Sequence, residues 1–200
     1  MKITKTNKLN RYTADYHLKA FKEIAGNLAG YTEKAVISFV DLYTKTQRNT
    51  KGLGIREITE KEVMSLAAEM AQIASKYNLE IESCAEQIDL QKAGVHHGSC
   101  IDKKLIERRL GCRLSGQKDK NQRKACGCLE SVEVGAYNTC LNGCKYCYAN
   151  FSDEKVKENL KLYSQTAPLL CGNVASGDKI TDRKMKSLKD IQLSFLNSIN

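Results

Sequence analysis

The stretch Ala35-Val-Ile-Ser-Phe-Val40 is a nearly unbroken apolar run. It has the length and composition of a strand covered on both faces, the habit of parallel sheets rather than of half-solvated antiparallel ones. Helical period flanks it on both sides. Upstream, Thr13 stands where a cap belongs, Leu18, Phe21, Ile24 and Leu28 follow at helical spacing, and Gly30 is placed to end the helix. Downstream, Thr59 and Glu62 form a capping box, and Val63, Leu66, Ala67, Met70, Ile73 and Tyr77 make one apolar stripe up to Asn78. Leu79-Glu-Ile-Glu-Ser83 then reads as a short strand running into Cys84. Helix, strand, helix and strand in this order predict an α/β fold of parallel βα units, a sheet with covering helices.

A third strand is expected at Ser131-Val-Glu-Val-Gly-Ala-Tyr137, leading into Asn138-Thr-Cys-Leu-Asn-Gly-Cys-Lys-Tyr-Cys-Tyr-Ala-Asn150. Ser152, Asp153 and Glu154 then open a helix that carries Val156, Leu160 and Tyr163. In parallel α/β proteins the loops after the carboxyl ends of strands carry the ligands. The expectation is therefore one reactive face holding Cys140, Cys144 and Cys147 together with Cys84, Glu82 and Asp41, the last two as contacts for a cofactor or substrate or as loop caps. The intervening segment has one convincing helix, residues 103–110 ended by Gly111, and otherwise reads as a functional excursion. With 200 residues and Pro168 as its single proline, the chain is expected to form a single domain, 1–200. It divides into a βα scaffold (1–90), a cysteine-containing excursion (91–130), a strand, cluster loop and helix (131–165), and a C-terminal tail (166–200).

Cys140, Cys144 and Cys147 are spaced C-x3-C-x2-C, a span short enough to wrap three neighbouring irons of a cubane, with Gly143 to bend the backbone. Three thiolates leave one iron for a small molecule, whereas a structural zinc site wants four closed ligands. Zinc with a fourth ligand from elsewhere is the alternative. Nine cysteines, an odd number, argue for metal rather than complete disulfide pairing. Cys84, Cys100, Cys126 and Cys128 are candidates for a second site, a cluster or zinc, with Cys126-Gly-Cys128 as its tight pair; plain buried thiols are the other reading. Cys112 and Cys171 have no spacing partner and read as buried thiols. His96 and His97 either join Cys100 on a metal, move protons, or serve as loop structure.

The N-terminus lacks the apolar run of a secretory signal, and no stretch is long and apolar enough for a membrane span, so a cytoplasmic protein without membrane partners is expected. The net charge of +9 favours polyanions. Its densest stretch, Lys118-Asp-Lys-Asn-Gln-Arg-Lys124, reads either as solvated surface or as part of a non-enzymatic zinc or iron–sulfur module that binds nucleic acid; it has few aromatics to stack bases.

Glu82-Ser-Cys-Ala85, His97-Gly-Ser-Cys-Ile-Asp102, Asp119-Lys-Asn-Gln-Arg-Lys-Ala-Cys-Gly-Cys128 and Gly135-Ala-Tyr-Asn-Thr-Cys140 through Tyr148-Ala-Asn150 resemble the domain-of-unknown-function 1848 family over nearly the whole chain. The cysteine motif, with Tyr146 before its last cysteine, resembles that of radical S-adenosylmethionine (SAM) enzymes. This resemblance implies a 4Fe-4S cluster on Cys140, Cys144 and Cys147, with SAM on the fourth iron and Tyr146 beside the adenine. It further implies reductive cleavage of SAM to a radical that acts on an unidentified substrate, and an electron donor such as a ferredoxin or flavodoxin. The implied fold is a full or partial TIM-type barrel. Only 53 residues follow Cys147, so that barrel is expected to be permuted or truncated. The resemblance also implies an upstream segment supplied as a separate chain, or an inactive truncated member.

Overall fold

The computed structural model describes residues 2–3, 5–6, 12–40, 42 and 44–190. Two compact units emerge, one of residues up to 41, 54–131 and from 187 onward, the other of residues 42–53 and 132–186. In the first unit β1 (Lys2–Ile3), β2 (Lys5–Thr6), α1 (Ala14–Leu28) and β3 (Lys34–Phe39) come in turn. The second unit contributes α2 (Thr44–Thr50), after which β4 (Ile55–Arg56), α3 (Glu60–Lys76), β5 (Glu80–Cys84), β6 (His96–Gly98) and α4 (Lys103–Leu110) complete the first.

The sheet runs β1-β3-β5-β6, every pair parallel, and β2 with β4 forms a separate antiparallel pair. The α/β reading with parallel strands is thus what the chain adopts, around the three strands β3, β5 and β6. Among the described residues nothing closes this sheet into a barrel. After β6 no strand joins it, and the chain continues into α4 and irregular segments.

Local chemistry explains the helices. The Thr59 hydroxyl accepts from Glu62 N–H while the Glu62 carboxylate accepts from Thr59 N–H at 3.1 Å, and Arg56 grips the same carboxylate with two bonds of 3.0 and 2.8 Å. A cap of this kind contributes about 1 kcal/mol. From it α3 presents Val63, Leu66, Ala67, Met70 and Ala74 to the core, with Ile73 and Tyr77 packed at its margin. The stripe expected on α1 is rotated: His17, Phe21 and Ala25 are the buried residues, and Ile24 and Leu28 are nearly half exposed. Ala25 lies inside at 2% exposed, and the Tyr77 ring stands beside Gly26, where a Cβ would meet it at 3.4 Å. Both helices cover the sheet face that carries Ile37, Phe39 and Ile81.

Register fixes the other face. Val36 pairs with Glu82, Glu82 with His96, and Cys84 with Gly98. Since alternate residues of a strand point to opposite faces, Val36, Glu82, Cys84 and Gly98 all look away from the helices.

Two sequence expectations need correction here. Residues 131–137 form no strand: Val134 is 88% exposed, and the Glu133 carboxylate accepts from Gly135 N–H, a local turn that competes with extended pairing. His96 and His97, read as loop residues, form β6. The helix expected after Ser152 is α5 (Asp153–Lys161), capped by the Ser152 hydroxyl and burying Val156, with Leu160 and Tyr163 about half exposed. No helix among the described residues is long and apolar enough to cross a membrane.

Candidate metal centre

On the face turned away from the helices β5 ends at Cys84, and Cys126 and Cys128 converge on it. Cys84, Cys126 and Cys128 are 7%, 4% and 6% exposed, and their sulfurs all lie within 4.8 Å of one another, the Cys84 and Cys128 sulfurs at 3.9 Å. Val36 packs against them from β3. Sulfurs bound to one tetrahedral ion, each about 2.3 Å from it, stand about 3.8 Å apart. The triad therefore has the spacing of ligands to a single ion. Thiolates on three different irons of a cubane point away from the cube and stand farther apart.

Backbone geometry serves the sulfurs. Ile101 N–H donates to the Cys128 sulfur at 3.3 Å and Cys128 N–H to the Cys126 sulfur at 3.5 Å. Cys100 lies near enough for its N–H and thiol to bear on the ionisation of Cys84, but its sulfur is not gathered with the three. Cys100 is itself exposed. Ala85, next to Cys84, holds a left-handed backbone at φ +61°. For a residue with a Cβ this costs roughly 1–2 kcal/mol, and such strain persists where surrounding structure enforces it.

Burial pushes the Cys84 and Cys126 thiols up to about 11. Burial opposes ionisation of Cys128 as well, but the N–H of Ile101, the Cys126 thiol and further donors outweigh it and hold Cys128 below its ordinary value. Cys128 is thus the first of the three to become a thiolate. The consequence for pH follows from the sign. A buried thiol whose folded value is raised keeps its proton more tightly folded than unfolded, so its stabilising contribution is full below the ordinary value of 9.0 and is lost as pH rises towards 11. Metal-free protein is expected to lose stability in denaturant titrations as pH climbs past 9. Metal binding, which expels these protons, is expected to tighten with rising pH and to release protons in calorimetry.

Behind the triad lies a buried ionic group. Lys34 Nζ sits 2.9 Å from Glu82 Oε2 and 2.6 Å from Asp102 Oδ2, with all three side chains at least four-fifths buried. The Glu82 carboxylate lies so close over Gly98 that a Cβ there would stand 2.0 Å from Oε2. Glu82 is therefore an ion-pair partner inside the fold. Asp102 also caps α4 through the N–H groups of Lys104 and Leu105. Burial opposes its charge, but Lys34 and these N–H groups prevail and hold the carboxyl below the usual range.

In the second unit the motif cysteines lie on a loop that closes on itself. Asn138, at φ +58° and 4% exposed, donates its N–H to Ala149 O and accepts at Oδ1 from Phe151 and Ser152 N–H, while Asn159 holds its carbonyl. Gly143 turns the loop at φ +61°. Asn150 N–H donates to the Cys147 sulfur at 3.3 Å, its carboxamide holds the Cys140 carbonyl, and Asn49 reaches the Cys147 carbonyl. Cys140 and Cys144 are exposed, Cys147 and Tyr146 half-buried. These three cysteines are not among the groups whose ligand atoms gather within 4.8 Å. A cleft of about 390 Å³ lies beside Cys144, lined among others by Asn49, Asn150, Phe151, Ser152 and Glu154.

Of the remaining candidates, His96 and His97 are exposed, Cys112 and Cys171 are half-buried, and Asp41 lies outside the described residues. Sequence reasoning missed Lys34 and Asp102, whose pairing is non-local, and the clasp at Asn138. Asparagine's tolerance of left-handed backbone is the one local signal that pointed to the latter.

The family model described as domain of unknown function (DUF1848) matches residues 5–149, and the chain belongs to that family. No curated protein and no solved structure matches the chain.

Proposed function

We propose that this family member is a metalloprotein whose resident centre is a single zinc-class ion held by Cys84, Cys126 and Cys128, with Cys100 completing the set. The observation that carries this reading is the burial of three thiols with mutual sulfur distances suited to one tetrahedral ion. Buried thiols with values raised by desolvation are poor company for one another unless a cation joins them. A closed four-thiolate site makes no bonds in a substrate; it fastens polypeptide. Here it ties the end of β5 to the start and end of the 99–131 excursion.

A second reading concerns Cys140, Cys144 and Cys147, and its support is the motif spacing together with the N–H donated to the Cys147 sulfur. These three sulfurs are not gathered within 4.8 Å as those of the triad are, and C-x3-C-x2-C is a spacing that can wrap three irons of a cubane. On that reading the protein is an iron–sulfur enzyme of radical SAM type, its sheet part of a larger barrel and Tyr146 part of the nucleoside contact. Such a cluster supplies one electron to SAM. The chain's own residues shape the loop: Asn138 closes it, Asn150 and Asn49 fix its carbonyls, and the cleft beside Cys144 gives a small molecule room.

Metal and sulfide analysis of anaerobically purified protein tests both readings. Cys126→Ser is expected to remove the zinc-class ion and spare iron and sulfide; Cys144→Ala is expected to do the reverse and to end release of 5′-deoxyadenosine from SAM with dithionite. Wild-type protein without a zinc-class ion overturns the first reading, and protein without sulfide overturns the second.

A further inference from the structure

Residues 99–131 carry nine Lys and Arg against four Asp and Glu, more than half of the chain's surplus of +9 in a sixth of its length. The structure sorts the two signs. Each acid is turned onto backbone N–H groups: Asp102 onto Lys104 and Leu105, Glu107 onto Leu114 at 2.8 Å, Asp119 onto Asn121 at 2.8 Å, and Glu130 onto Gln117 at 2.9 Å. Eight of the nine bases are exposed, Lys104, Arg113, Lys120 and Lys124 among them, while Lys103 is half-buried and Arg108 and Arg109 pair with Glu33. The acids are held locally by these N–H groups, so exposed Lys and Arg outnumber acids on the surface of the excursion as they do in its composition.

The excursion is also a built platform. Lys118 pairs with Leu129 in an antiparallel bridge, Leu129 N–H bonds Ile101 O, Glu130 N–H bonds Gln117 O, and Lys103 reaches Gly116 O. From this stem the loop 118–128 leaves and returns, its base closed by Asp119 N–H on Cys128 O and Lys118 on Lys124 O. The loop ends in Cys126 and Cys128, two of the triad. Its basic residues are thereby held a few positions from the thiolates.

We infer that the 99–131 excursion is a docking surface for the phosphodiester backbone of nucleic acid, and that the thiolate centre serves as the staple presenting its basic loop. Phosphates fit this surface because exposed lysines and arginines spread over a rigid stem match a repeating line of negative charge. With no aromatic side chain in residues 99–131 to stack on bases, recognition is of the backbone and independent of base sequence. The presenting role of the centre rests on the zinc-class reading above; the charge surface does not.

The test uses the full chain and a fluorescein-labelled duplex DNA, with a single-stranded oligonucleotide of the same length in parallel. Wild-type affinity is expected to fall steeply and linearly in log–log against salt. The variant K104Q/K120Q/K124Q is expected to lose about tenfold or more in affinity and to reduce the salt slope by about 3, roughly one per phosphate contact removed. The charge-matched variant K19Q/K22Q/K61Q, altered on exposed positions of α1 and α3, is expected to lose about twofold or less. Equal losses in the two variants, salt-independent binding, or stronger binding to anionic lipid vesicles or an acidic peptide than to either oligonucleotide overturn the inference. Cys126→Ser, with its metal content measured on the same sample, separates the halves. Zinc-class ion lost and affinity lost is the expected result, zinc-class ion lost with affinity kept overturns the staple, and zinc-class ion kept overturns its assignment to the triad while leaving the charge result to stand.

Discussion

On the proposed zinc-class reading, removing the ion by chelation or by Cys128→Ser is expected to release the 99–131 excursion from the sheet. Outside the cysteines, Leu114 and Leu129 are the buried hydrophobic residues of that segment. Two buried leucines are a small core for a segment of this length. A structural thiolate ion, worth about 10–16 kcal/mol in small zinc-binding peptides, would add to them on the proposed reading. Amide exchange across 99–131 is expected to quicken by about a hundredfold or more on metal removal, corresponding to about 3 kcal/mol or more of lost local protection, while α3 and β3 keep theirs. Unchanged exchange in the excursion would mean that it stands without the ion.

Met70→Ala is expected to cost about 2–5 kcal/mol in denaturant unfolding, a large share of the 5–15 kcal/mol typical of a domain. Met70 is fully buried at the centre of the α3 stripe, among Phe21, Ile37, Ile81 and Val95 in one core cluster. Truncation leaves a cavity that the flanking Ala67 and Ala74 are too small to fill. Met70→Leu, close in volume, is expected to cost less than about 1.5 kcal/mol. A Met70→Ala loss below 1 kcal/mol, measured at unchanged denaturant slope, would place this helix outside the core.

The legible part of the fold was the part written in local pattern. The capping box at Thr59, the stripe of α3 and the apolar run of β3 each state their structure within one segment, and each lies where its pattern indicated. β6 escaped because three residues, His-His-Gly, carry no period; its strand character comes from pairing with β5. Residues 131–137 misled in the opposite sense, since Val132 and Val134 alternate like a strand but have no partner strand to receive them. The rotated stripe on α1 shows that size as well as apolarity sets a helix face, with Ala25 inside and Ile24 outside.

The site divided in the same way. C-x3-C-x2-C is legible because its cysteines are neighbours in sequence. Cys84 meets Cys126 and Cys128 across more than forty residues of chain, a contact that the sheet and the excursion create and that spacing alone does not specify. The tight pair Cys126-Gly-Cys128 was the visible half of that site.

The central claim is that Cys84, Cys126 and Cys128 share one ion. X-ray absorption at the metal edge, on protein in which Cys140, Cys144 and Cys147 are all serine, tests it most directly. One ion per chain is expected, with an all-sulfur shell at about 2.3 Å and no second metal nearby, lost on further change of Cys126 to serine. Absence of metal from the triple-serine protein, or a shell built from oxygen and nitrogen alone, would contradict it.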